Sequence, residues 1–209
     1  MIDPAQVKAE NIALLRSWNI PVLESLPTIE NEADLSPRTA ADVARRIMVL
    51  SQVIGIGLGG NPSALREGLT KFGLWPYASA GEKDLLNRDE HTDQERIDAT
   101  WLAEGIQSLG WCLGLAGLPH LDHCEADLSR KFPGPSEDPS DFIASAKLRP
   151  FDEIYREADL HYRLHWAARS SRLGNVESPV GEGLIRERRK ALDWVVGVEE
   201  DWDEVPADT

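Results

Sequence analysis

Three groups of side chains in this sequence have the types and spacing to do chemistry. The segment HLDHC places His120, His123 and Cys124 at offsets of zero, three and four. On a helix these share one face, and all three are zinc-ligand types. Asp122, Glu125 or Asp127 could add oxygen. Pro119 and the loop character of the segment argue against a formed helix, and no second ligand pair has the usual spacing. A solvated loop with a half-buried cysteine is the simpler reading. The second group is His161 and His165, four residues apart, with Glu157 one turn earlier. A metal triad there is opposed by Arg163 and Arg169 on the same stretch. Hydrogen-bonded imidazole in the core, with Trp166 beside it, is the expected state.

The third group is Arg163, Arg169, Glu187, Arg188 and Asp193, with Trp166 and Trp194 interleaved. Tyr155, Leu160, Tyr162, Leu164 and Trp166 spread apolar surface around much of the segment carrying Arg163, so that segment should be largely buried. An unpaired buried arginine is strongly unfavourable. Glu187 or Asp193 is its expected partner, with Asp201, Asp203 and Glu204 as alternatives if the acidic tail 199–209 folds back on Trp202. The functional alternative is a polar pocket between two helices. Its free arginines would hold a small anion, with His165 as acid or base.

Other patterns are weaker. Gly55, Gly57 and Gly60 of GIGLGG match the dinucleotide-binding glycines by letters, but that motif needs a strand before it, and an amphipathic helical run stands there. DEHTDQE (89–95) and VEEDWDE (198–204) are acidic runs without calcium-loop spacing. No nucleophile elbow, phosphate loop, HExxH or CxxC occurs. No cofactor or catalytic set is therefore expected.

The elements that must position these groups read as helices. Apolar spacing predicts helices over 4–18, from Ser36-Pro37 to the glycines at 55–60, from Asn61-Pro62 to Phe72, and over 93–115. Asp138-Pro139 should start another, and 151–172 and 182–198 complete the set. Residues 19–27 and 133–139 read as connectors. No stretch alternates like a strand. The expected fold is all-α, about eight helices in one compact domain over 1–209.

Several of these pieces together resemble a bacterial family catalogued as a domain of unknown function, number 4272. The matching segments are LLRSWNIPVLESLP, LSPRTAADVARRIMVL, TWLAEGIQSLGWCLGLAG, LRPFDEI, DLHYRLHWAAR, IRERRKALDW and DWDEVPADT. The sequence departs from the family pattern at Trp101-Leu102, where a tryptophan-arginine pair is usual. The resemblance carries no activity over.

Bulk composition narrows the function classes. The 209 residues carry a net charge of −14, with 42% hydrophobic residues and seven tryptophans, enough to build a core without a metal or disulfide. The charge disfavours nucleic acid as a partner and favours a basic protein. Cys112 and Cys124 do not make a disulfide framework, which suits a reducing cytoplasm. The start MIDPAQVKAEN is unlike a signal peptide, and no apolar run reaches bilayer length. Two readings follow. One is a non-catalytic cytoplasmic protein that binds a partner protein, such as an immunity-type neutraliser of a basic toxin domain. The other is an enzyme or small-molecule binder built on Arg163, His165, Arg169 and Glu187. In either, an exposed Trp202 would be a partner hot spot and a buried one a latch.

Overall fold

The computed structural model describes residues 2–178 and 180–206, and these contain eight α-helices and no strand. The helices are α1 (Pro4–Ser17), α2 (Ala40–Gly57), α3 (Pro62–Lys71), α4 (Ala80–Asn87), α5 (Asp93–Cys112), α6 (Ser140–Ser145), α7 (Phe151–Leu173) and α8 (Glu182–Val196). The packing order differs from chain order. α2 lies on α5, α5 on α8, α8 on α7 and α7 on α1, while α3, α4 and α6 attach to α2. Long-range neighbours therefore dominate the centre.

Local chemistry starts most of these helices. Asp3 caps α1 ahead of Pro4, its carboxylate accepting from the Ala5 amide at 2.9 Å. Asn61 does the same for α3 ahead of Pro62. Reciprocal capping boxes start α2 (Thr39 with Asp42), α4 (Ser79 with Glu82) and α5 (Thr92 with Glu95). Each box satisfies two otherwise orphaned donors.

Two boundaries and one element differ from the sequence expectation. α2 begins after Thr39 rather than at Ser36-Pro37, because residues 36–38 are held extended along the end of α8. The Arg38 amide donates to the Val195 carbonyl at 2.9 Å, and the Ser36 amide to Gly197. Gly197 ends α8 at φ 89°, and any β-carbon there would collide with the Ser36 backbone. α2 ends at Gly57, inside the expected glycine run, with Gly59 following at φ 78°. Gly55 and Gly57 also admit neighbours: a β-carbon on Gly55 would stand 2.6 Å from Leu65, and one on Gly57 2.6 Å from the Arg96 carbonyl. α5 ends at Cys112, before Leu115, because Gly114 turns the chain at φ 72°. α4 has no counterpart in the expected set, although Ser79 and Glu82 announce its start.

The core has three contiguous parts. The central one joins α2, α5 and α8 through Ile47, Leu50, Leu109, Leu192 and Val196. A second joins α1, α7 and α8 through Leu15, Leu160, Leu164 and Ile185. The third sits under α3 and α4, around Val53, Ile56 and Leu69. Each fully buried leucine or isoleucine contributes about 1.5–3 kcal/mol. Among the described residues, no helix is long and apolar enough to cross a membrane.

Candidate functional site

Asp159 and Arg163 of α7, and Glu187, Arg188, Arg189 and Asp193 of α8, are buried and bonded to protein groups. Arg163 is 3% exposed and grips Asp159, one turn earlier on its own helix, at 2.6 and 2.8 Å. It also donates to the Pro27 carbonyl. Asp159 takes a further bond from Asn11, which ties α1 to α7. The partner of Arg163 is thus neither Glu187 nor Asp193. Glu187 accepts from Arg186, its chain neighbour, at 2.9 Å. Arg188 is fully buried and binds Glu104 of α5 at 2.6 and 3.0 Å. Its remaining donors reach the Pro119 and Asp122 carbonyls. Arg189 binds Asp193 at 3.0 Å and donates to His165 Nδ1 at 3.1 Å.

That last bond fixes the chemistry of His165. Nδ1 is an acceptor, so the ring proton sits on Nε2. Burial and the neighbouring Arg189 cation lower its pKa to about 4. His165 is therefore neutral at pH 7. Burial pushes the Asp193 carboxyl up to about 7, against the pull of Arg189. Trp166 is partly buried against the α1–α7–α8 core, and Arg169 is partly exposed with no ion pair among the described residues.

The HLDHC segment is a loop, and its side chains diverge. His120 Nε2 contacts Glu157 at 2.7 Å and its ring lies 5.0 Å from Trp18. His123 Nδ1 contacts Glu104 at 3.1 Å and packs by Trp101. The Cys124 amide also bonds Glu104. Among the described residues no group of three or more His, Cys, Asp or Glu side chains can hold a metal. Of the face suggested by Glu157, His161 and His165, only Glu157 and His161 meet, at 3.1 Å. Burial raises the Glu157 pKa, but hydrogen bonds from His120 and His161 outweigh it and hold it at about 2.

In residues 199–206, Trp202 is 4% exposed and meets Trp194 edge-on at 5.6 Å. Arg46 and Lys190 lie over the Trp202 ring. Asp203 accepts from the Gly81 amide at the start of α4, and Asp201 from the Asp203 amide. Trp202 is thus a latch; residues 207–209 of the tail lie outside the described residues.

The acidic run 89–95 is arranged differently. From Asp84 to Asp98 there are six carboxylates and two arginines. Both arginines are engaged: Arg88 with Asp84 and Glu95, and Arg96 with the Ile56 carbonyl. Asp89, Glu90 and Asp93 are exposed and form no ion pair among the described residues. Ile97 is 51% exposed on the same helix start, and Leu58 is 76% exposed where α2 ends against it. Ile97 thus stands one helical turn from the exposed carboxylate of Asp93.

Sequence reasoning missed the part that Glu104, Asp159 and Arg189 play in pairing the buried charges. Two of the three had a visible signal: Asp159 and Arg163, and Arg189 and Asp193, are each four apart on one helix. Glu104 was legible only as a lone carboxylate in an apolar run.

Fold and charge together define an acidic, all-helical protein whose core cations are internally paired. The chain belongs to the family described as Domain of unknown function (DUF4272), whose model matches residues 7–205. No curated protein and no solved structure matches it.

Proposed function

We propose that this is a non-catalytic cytoplasmic binding protein whose partner is a protein with a basic surface, held on the face where α5 begins. The supporting observation is the contrast in charge placement. Arg163, Arg188 and Arg189 are committed to carboxylates inside the fold, while Asp89, Glu90 and Asp93 are exposed without cationic partners among the described residues. Leu58 and Ile97 supply the apolar contact that a carboxylate rim alone lacks. Such a face would accelerate encounter with a cationic surface. One concrete form is an immunity-type neutraliser whose carboxylates cover the cationic active site of a toxin domain. A cytoplasmic setting fits two free cysteines, one of them fully buried.

The test is native purification of tagged protein from its own cells, with stoichiometry read by mass spectrometry. Wild type should retain a near-equimolar basic protein, and the Asp89→Lys/Glu90→Lys chain should lose it. Retention of the same partners by both chains, unaffected by salt, would contradict the reading.

A further inference from the structure

A second surface carries the opposite charge, on different residues from the face just described. At the N-terminal end of α2 a cavity of about 260 Å³ is lined by Arg38, Arg45 and Arg46. In a chain of net charge −14, three guanidiniums around one cavity are a local reversal. Tyr77 and Trp194 form its aromatic wall, with Arg45 lying 4.8 Å from the Tyr77 ring and Arg38 5.2 Å from that of Trp194.

The three arginines are not equally satisfied. Arg46 is 7% exposed and bound to both oxygens of Glu82 at 2.8 Å, and its Nε is buried without a hydrogen-bond partner. Arg45 bonds Asp42 at 3.0 Å through Nη1 alone, leaving Nε and Nη2 unbonded among the described residues. Arg38 donates only to backbone carbonyls, those of Trp194 at 3.3 Å and Glu199 at 2.7 Å. It has no carboxylate partner among the described residues. Two carboxylates line the cavity. Asp42 is already bonded to Thr39 and Arg45, and Glu200 is exposed.

The geometry points to a binding site for a small oxyanion, a ligand bearing a carboxylate or phosphate group. Guanidinium forks match such groups with paired N–H donors, and aromatic walls hold the forks in place. The cavity lies at the small end of ligand pockets, which suits a small metabolite rather than a nucleotide. The extended segment 36–38 fixes Arg38, and the latch Trp202 backs Arg46, with its ring 4.9 Å from that guanidinium. The site is therefore pre-organised by the tail and by the end of α8.

Isothermal titration of the full chain with inorganic phosphate and with malonate, in chloride-matched buffer, tests this. Saturable one-to-one binding of either anion is expected, and the stronger arm identifies the group. Arg45→Gln should weaken it about tenfold, the loss of one or two charge-assisted bonds. Its unfolding midpoint should match wild type, since Asp42 keeps its bond to Thr39. Asp42→Asn should bind severalfold tighter, because it removes the carboxylate competing for Arg45. Absence of binding by both anions, or equal binding by wild type and both variants, overturns the site.

Discussion

Arg188 lies on the C-terminal helix and Arg38 against its end, yet their circumstances are opposite. Arg188 is fully buried, neutralised by Glu104 and bonded to two loop carbonyls. Arg38 is partly exposed, without a carboxylate partner among the described residues, and faces a cavity. The first holds the 119–124 loop on the helices. The second has donors to offer. The same contrast separates Asp193, enclosed and paired, from Asp89 and Glu90, exposed and unpaired. Residue type alone does not distinguish scaffold from surface; burial and partner do.

The sharpest way to break this comparison is to remove one member of the buried pair. Arg188→Met leaves Glu104 charged and enclosed, and should cost about 3–5 kcal/mol in urea unfolding. Adding Glu104→Leu should recover most of that loss, since the isolated charge is then gone. Next in size is Trp202→Ala. Emptying its site between Trp194, Arg46 and Lys190 should cost about 3 kcal/mol.

Titration supplies a third effect with a definite sign. The folded pKa of His165, about 4, lies below the ordinary 6.5. The unfolded chain takes up that proton first, so the contribution is complete above 6.5 and is lost as pH falls toward 4. Asp193 is raised from 3.8 to about 7, so the folded state holds its proton, and stability falls as pH rises through that window. In wild type the two slopes oppose one another. His165→Gln should leave a stability that declines as pH rises from 4 to 7, and Asp193→Asn should reverse the slope. Parallel pH profiles in the two variants would show that the pair is not opposed.

How much of this was legible in the sequence depended on range. Asn61-Pro62 marked the start of α3, and the apolar spacing of α2, α5, α7 and α8 located those helices. Ser36-Pro37, and not Thr39, reads as the start of α2, because the interaction that holds residues 36–38 extended comes from Val195 and Gly197, far along the chain. The stop of α2 in the glycines at 55–60 is legible, but the neighbours that Gly55 and Gly57 admit, Leu65 and Arg96, are not visible in a local window. α4 is eight residues long and offers few apolar positions, so its capping box stood without a periodic pattern behind it. The buried charges were recognised as a group, but pairing across 84 residues, as for Glu104 and Arg188, has no local signature. The arginine cavity joins Arg38 to Trp194 across 156 residues and was invisible for the same reason.

The smallest stability change belongs to the exposed face, where Asp89→Lys/Glu90→Lys should move unfolding by less than about 0.5 kcal/mol. The same double substitution gives the most direct test of the account. The measurement is the affinity of the co-purified partner for wild type and for this variant at low and high salt. Wild type should bind more weakly as salt rises, and the folded variant should bind weakly at both concentrations. Equal affinity for the two chains, with no response to salt, would contradict the assignment of binding to the exposed carboxylates.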